Sequence, residues 1–220
     1  MRILLVLLLL GASSAESRML DFHSDIRIAK SGELTVTERI TVVPDKQSPA
    51  LLRELPPAAQ VVDVIRNGHP ERYVLDGTRL RVGGEPLAAG RHTYQLMYRA
   101  PRRVAHLADH DVLHWSLKGG ERITAEVVLP SSVPARQIRT EGSGPEFQTF
   151  VRDGRAAFRG REGLAIVVRF PKGVVAEPDA GQRARWFVSD YFGALLVVAM
   201  LALSAWVLLK ARELSRSREY

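Results

Sequence analysis

Residues 191–209 read YFGALLVVAMLALSAWVLL, a run without a charged side chain, closed by Asp190 on one side and Lys210 on the other. As a helix it would be about 28 Å long, close to the ~30 Å hydrocarbon core of a bilayer. The apolar residues show no one-sided stripe, so the helix would be greasy all round. Buried helices of soluble proteins rarely lack polar residues over such a length. The one polar side chain between the ends, Ser204, can bond back to its own helix backbone, and a helix satisfies its own peptide groups in lipid. Trp186, Phe187 and Tyr191 at one end and Trp206 near the other suit the membrane–water interface. The stretch Tyr191–Leu209 therefore reads as a transmembrane helix whose partner is membrane lipid.

The flanks give this span a direction. Lys210, Arg212, Arg216 and Arg218 follow it against Glu213 and Glu219. An excess of Lys and Arg beside a span marks the cytoplasmic side, so residues 210–220 read as a basic cytoplasmic tail. At the other terminus Met1-Arg2 is a short basic start, Ile3–Leu10 an apolar core, and Gly11–Ala15 a set of small residues. Residues 1–15 read as a secretory signal peptide cut after Ala15. The expected location is the inner (cytoplasmic) membrane of a bacterium, single-pass, with the N-terminal domain periplasmic or extracellular.

Between the two lies an exported body, residues 16–173, and a Pro/Gly/charge-containing juxtamembrane linker, 174–190. The 220-residue chain carries a formal charge of +7 and no cysteine. Without cysteine there are no disulfides, thiolate metal sites or cysteine nucleophiles, so the body must hold by its core alone. A mild positive charge outside a membrane is compatible with acidic envelope polymers as partners. No finger, basic helix or aromatic–basic RNA motif points to nucleic acid.

The body reads as strands. Phe22, Ser24, Ile26 and Ile28 alternate with His23, Asp25 and Arg27. A Lys30-Ser31-Gly32-Glu33 turn follows, and Leu34, Val36, Ile40 and Val42 then alternate with Thr35, Thr37, Arg39 and Thr41. Period two around a Gly-bearing turn predicts an antiparallel hairpin. Pro44–Pro57 reads as a connection from one sheet to another. Further strands are expected at Val61–Ile65, with an Asn67-Gly68 hairpin turn returning through Arg72–Leu75. Others follow at Leu80–Val82, His92–Tyr98, Val112–Leu117, Ile123–Leu129, Gln137–Thr140, Phe147–Arg152, Ala156–Arg159 and Leu164–Phe170. Arg99–Asp111 reads as irregular and Gly142-Ser143-Gly144 as a turn. Short strands at this spacing predict a mainly β protein, an extracytoplasmic antiparallel β-sandwich followed by one C-terminal transmembrane helix. A subdivision near residue 130 is open.

One residue breaks the hairpin's alternation. Glu38 falls on the apolar face of its strand, where an unpaired carboxylate is costly. Arg53 is the candidate partner, and a structural ion pair explains the pair better than a catalytic acid. His106, His110 and His114 stand four apart with Asp109 and Asp111 between them. On a helix they would share a face and could hold a metal, but the following Trp115-Ser116-Leu117 reads as strand, which scatters them. Asp109, Asp111 and Glu121 could supply paired carboxylates for glycan hydrolysis only if folding gathers them. Tyr94, Tyr98 and Trp115 could form a glycan-stacking platform, though aromatics at period two more often pack a core. There is no G-x-S-x-G elbow, and Gly83-Gly84 and Gly119-Gly120 lack the context of a phosphate loop. No catalytic, cofactor-binding or metal-ligating residue is assigned. The functional expectation is a non-enzymatic interaction module, with a glycan-binding or glycan-hydrolysing domain as the alternative.

The ordered motifs of the body resemble those of the N-terminal domain of a family of predicted bacterial membrane proteins, the domain of unknown function 2207 (YciQ-like) family. They are Ser31–Glu38, Arg53-Glu54-Leu55-Pro56, Val61–Pro70, Gly90–Tyr98, Asp109–Gly119 with Leu113-His114-Trp115, Leu129-Pro130 and Phe170-Pro171-Lys172-Gly173. The resemblance implies an extracytoplasmic β-sandwich held to the membrane and no established activity, cofactor or catalytic residue. It also implies LemA-type membrane proteins as candidate partners. Members usually continue into further spans and a Gly-rich tail, whereas this sequence stops at Tyr220 after one, as a short variant or a truncated form would.

Overall fold

The computed structural model describes residues 18–44, 51–84 and 87–216. The signal peptide expected at 1–15 and the last residues of the tail lie outside the described residues. The described chain falls into two compact units that meet in sequence between Ala176 and Glu177.

The first unit is built of strands: β1 (Arg18–Ile28), β2 (Leu34–Val43), β3 (Leu51–Glu54), β4 (Gln60–Arg66), β5 (His69–Pro70), β6 (Tyr73–Asp76), β7 (Arg79–Val82) and β8 (His92–Ala100). The chain continues with β9 (Val104–His106), β10 (His110–Lys118), β11 (Arg122–Val128), β12 (Arg139–Ser143), β13 (Gln148–Arg152), β14 (Arg155–Gly160) and β15 (Gly163–Pro171). They form three sheets, ordered β13-β14-β11-β1-β2-β8-β4-β5, β12-β15-β10-β9 and β3-β7-β6.

The expected first hairpin is present, with Ile28 opposite Leu34 and Phe22 opposite Ile40. Its tight turn is closed by the Gly32 N–H donating to Ala29 O at 2.9 Å. Gly32 takes φ +80°, and a Cβ there would stand 3.2 Å from Val175 Cγ1; both the turn and the packing call for glycine. Burial follows the strand period: Leu34, Val36, Glu38, Ile40 and Val42 are all buried, as are Tyr94, Leu96, Tyr98 and Ala100 on β8. One hydrophobic cluster joins the three sheets, from Phe22 and Ile26 through Leu80 and Val82 to Leu113, Leu117, Ile166 and Phe170. Each such side chain contributes roughly 1.5–3 kcal/mol on burial, which is how a cysteine-free body holds together.

Four local features differ from the sequence reading. The eight-stranded sheet is not wholly antiparallel, because β1 and β11 run parallel from Asp21↔Arg122 to Arg27↔Val128. A parallel neighbour needs a long crossover, and here the intervening chain runs through β2 to β10, which contribute strands to all three sheets. The Asn67-Gly68 turn returns only through β5; Tyr73–Asp76 instead pairs with β7 in the three-stranded sheet. Arg99–Asp111 is not all irregular, since β9 pairs with the start of β10. Gly142 and Ser143 belong to β12 rather than to a turn. Gly142 serves close approach: an added Cβ would lie 2.6 Å from Phe147 Cζ and 2.7 Å from the Ala165 carbonyl oxygen.

The second unit is α1 (Ala180–Arg216). It begins well before the apolar run, on a capping box the sequence reading missed. Asp179 Oδ1 accepts from the Gln182 N–H at 2.6 Å and Gln182 Oε1 from the Asp179 N–H at 3.3 Å, satisfying donors that a helix start leaves orphaned. Ser204 Oγ donates to the Met200 carbonyl at 2.8 Å, as expected. Among the described residues no single straight helix is long and apolar enough to cross a membrane. The segments Ala180–Ala194 and Leu196–Val207 meet that test together, bent by 59°. The bend falls between Ala194 and Leu196. The apolar side chains stand in the open, Met200 at 68% and Trp206 at 61% exposure.

Candidate functional site

The exception in the β2 pattern leads to the site. Glu38 is held between Ser24 of β1 and Leu96 of β8 on the buried face of the large sheet, and is 2% exposed. Arg53 of β3 meets it with two bonds: Nε donates to Oε2 and Nη2 to Oε1, each at 3.0 Å. Tyr98 of β8 adds its hydroxyl, which donates to Oε1 at 2.8 Å. The guanidinium lies 4.5 Å over the ring of Phe22. Its Nη1 donates at 3.4 Å to the backbone carbonyl of Lys118 on β10. A bidentate guanidinium is the cation best shaped for a buried carboxylate. The Tyr98 phenol is held well above its ordinary range, first by burial and then by the charge and hydrogen bond of Glu38.

This network lies at a cleft of about 1000 Å³, where all three sheets contribute walls. Leu52, Arg53 and Glu54 of β3 line it on one side, and His114, Trp115, Ser116 and Lys118 of β10 on another. Its rim is paired: Arg18 with Glu121, and Lys118 with Glu54 at 3.4 Å. Arg103 also lines the cleft. Its Nη2 donates to the Pro57 carbonyl at 3.3 Å, its buried Nε has no hydrogen-bond partner among the described residues, and burial lowers its pKa from the usual guanidinium value. The chain reaches Arg103 through Arg102, a non-glycine residue at φ +58°, a backbone form that costs ~1–2 kcal/mol for an ordinary side chain.

The sequence pairing of Glu38 with Arg53 is thus found, with Tyr98 as a third member. Tyr94 is fully buried and Tyr98 1% exposed, and Trp115 is 7% exposed. These aromatics pack the core rather than present a stacking platform. The three histidines do not gather. His106 on β9 donates from Nδ1 to Asp111 Oδ1 at 2.9 Å, His110 sits 2.7 Å from its neighbour Asp109, and His114 lines the cleft. His106 lies on β9, and His110 and His114, though on one face of β10, stand four strand residues or roughly 13 Å apart, too far to share a metal. The three acids are likewise engaged apart. Asp111 is fully buried and also accepts from Lys172 Nζ at 3.0 Å, Asp109 is an exposed partner of His110, and Glu121 pairs with Arg18. Missed by the sequence reading were Arg103 and the β10 edge, whose only signal was the Pro101-Arg102-Arg103 break after a strong strand.

The family profile described as "Predicted membrane protein (DUF2207) N-terminal domain" matches residues 18–170. The chain belongs to this family. The Glu38–Arg53–Tyr98 network and the whole cleft lie inside the DUF2207 domain. No curated protein matches the sequence. Among solved structures the chain is similar to native yeast LTA4 hydrolase, at 9% identity over 70% of this chain and 29% of that one, with a TM-score of 0.50. It is also similar to a two-domain M1 zinc metallopeptidase bound to L-tryptophan, at 15% identity over 80% and 54% of the two chains, TM-score 0.47. The M1 zinc metallopeptidase from Deinococcus radiodurans gives 16%, 69% and 42%, TM-score 0.47. The DUF2207 chain spans about half or less of the length of these enzymes, and at such identities the likeness concerns fold alone.

Proposed function

We propose that this DUF2207 protein is a membrane-anchored, non-enzymatic interaction module. In this reading the β body, of sandwich type, stands on the outer face of the inner membrane. The apolar run Tyr191–Leu209 holds it in lipid, and the basic tail faces the cytoplasm. LemA-type membrane proteins and acidic envelope polymers are the partner classes to test first.

The observation that carries the reading is the cleft. Its deepest carboxylate, Glu38, is neutralised by a bidentate guanidinium and a phenol. A carboxylate so held is a poor proton donor or nucleophile, since catalytic acids and bases need poised, reachable groups. What the cleft offers instead is shape, apolar surface and hydrogen-bonding groups around it, the ingredients of recognition. The buried aromatics weigh against the glycan alternative.

The cysteine-free chain allows a direct test. Single variants Ser189→Cys and Ser215→Cys, made in the full chain and treated in intact spheroplasts with a membrane-impermeant maleimide, should give labelling at 189 alone. Labelling at 215, or at neither position before lysis, would overturn the topology. Cross-linking in native membranes followed by mass spectrometry then asks whether the body has a protein partner. A body that yields no cross-linked partner in its own host would count against the module reading.

A further inference from the structure

The cleft contains two strand edges that no other strand pairs with among the described residues. β9 pairs with β10 only as far as Leu113↔Val104. Beyond that point, among the described residues, His114 to Lys118 have β15 as their one strand neighbour, His114 opposite Val167 and Lys118 opposite Gly163. Continuing the β9 register would set Arg103 beside His114. Instead the backbone turns at Arg102, φ +58°, and the strand ends. Across the cleft β3 pairs with β7 alone among the described residues, so its other edge is open as well.

The direction of the open groups on β10 follows from period two. The Lys118 carbonyl points into the cleft, because Arg53 Nη1 reaches it from β3 at 3.4 Å. In an antiparallel strand the peptide groups of alternate residues point to the same side. Ser116 and His114 therefore direct their N–H and C=O groups to that side too, and both residues line the cleft. A half-open strand of this kind is the template on which an extended peptide adds by main-chain bonding, with pockets for alternate side chains setting specificity.

The side chains around the groove define the complement. Arg18, Arg53 and Lys118 each have a carboxylate of their own. Arg103, at the head of the open edge, has no ion pair among the described residues and keeps a buried Nε without a hydrogen-bond partner. Trp115 lines the same cleft, and its buried Nε1 has no acceptor among the described residues. Leu52, 63% exposed, presents an apolar side chain from the opposite wall. An occupant that satisfies these groups carries an acidic side chain at one end, an apolar one further along, and an extended backbone between them.

We propose that the open edge of β10 at His114–Lys118 receives an extended segment of another polypeptide as an added strand, with an acidic side chain of that segment set against Arg103. The proposal rests on the interaction-module reading and names the partner's chemistry. It can fail while that reading stands, because the cross-linking experiment detects any partner, bound through this groove or elsewhere.

The test uses the full chain in detergent micelles and three synthetic probes at millimolar concentration. The first is acetyl-Asp-Thr-Val-Thr-Val-amide, with the acid at one end and the apolar side chains on the same strand face. The second is the same peptide methylated on alternate backbone nitrogens, and the third has lysine in place of aspartate. Hydrogen–deuterium exchange is read at the amides of His114 and Ser116. The first peptide should slow their exchange at least tenfold. The methylated twin, with the same side chains but blocked strand pairing, should give no protection, and the lysine twin should bind about tenfold more weakly. Arg103→Gln should erase the preference for aspartate over lysine while leaving the fold, read by strand circular dichroism, unchanged. Equal protection by the methylated twin, no protection by the first peptide, or protection located away from β10 would overturn the proposal. Protection that grows with protein concentration before any peptide is added would overturn it in favour of a second copy of this chain.

Discussion

The sharpest consequence of the buried network is the effect of removing its cation. In Arg53→Met the side chain keeps much of its length and its contact with Phe22, but the two bonds to Glu38 and the bond to the Lys118 carbonyl are lost. Glu38, 2% exposed, is left with Tyr98 as its one hydrogen-bond partner among the described residues. Breaking a buried pair by deleting one member typically costs about 3–5 kcal/mol, because the remaining charge stays desolvated. For a body of this size each kcal/mol moves the melting temperature by roughly 2–4 °C, so the variant should melt about 6–20 °C lower. The double variant Glu38→Gln, Arg53→Met removes both charges and should recover most of that loss, as buried pairs replaced by neutral groups of similar volume often do. The measurement is thermal and urea unfolding of the detergent-solubilised chain, followed by strand circular dichroism and assembled into a double-mutant cycle. A single-variant cost below about 1 kcal/mol would mean that water reaches the pair and screens it. A double variant as unstable as the sum of the singles would mean that the two residues are not coupled. Either result would refute the neutralised-floor argument.

Two further outcomes are expected. The Tyr98 phenol is neutral in the folded state to a higher pH than in the unfolded chain, where it ionises near pH 10, about its ordinary value; its contribution is therefore full below about pH 10 and falls as pH rises further, by up to about 1.4 kcal/mol per pH unit. Tyr98→Phe should flatten that alkaline loss while costing about 1–3 kcal/mol at neutral pH, read by unfolding midpoints across pH 7–11; an unchanged alkaline slope would contradict it. Gly142→Ala should destabilise by roughly 1–3 kcal/mol, since the new methyl meets the Phe147 ring and the Ala165 backbone together; a wild-type melting curve would show that the β12–β15 contact is looser than described.

How much of this was legible depended on the range over which each feature is decided. The β1–β2 hairpin, β8 and β15 follow period two within a dozen residues, so their burial could be read directly. Glu38 was legible as a violation: a carboxylate in an otherwise apolar row has to find a cation, and Arg53 was near enough in the chain to be named. Tyr98 could not be assigned to the same network, because β2 and β8 meet only through a register spanning some sixty residues. The parallel β1–β11 pair was out of reach for the same reason: it is chosen by the path of the intervening sheets, not by either strand. The helix start at Ala180 is written in Asp179-Ala180-Gly181-Gln182, which carries the capping pattern, a weaker local signal than the apolar run that follows. The bend after Ala194 is a property of backbone geometry that hydropathy does not report.

The open edge of β10 illustrates the harder class. Its residues, His114-Trp115-Ser116-Leu117-Lys118, alternate as well as any fully paired strand in the chain, because alternation records only which face is buried. Whether a strand has a neighbour on each side depends on where the adjacent strand stops, here at a single left-handed residue, Arg102. The same geometry links the edge to the neutralised floor. Arg53 compensates Glu38 with Nε and Nη2 and still has Nη1 to hold the Lys118 carbonyl, so one guanidinium both satisfies the buried charge and spans the gap between β3 and β10. A lysine there would offer one point charge and could not do both with fixed geometry. The gap is therefore tied to the interior pair: loosening Arg53 should alter the width of the groove as well as the stability of the fold, and binding at β10 and stability of the core should respond together to the same substitution.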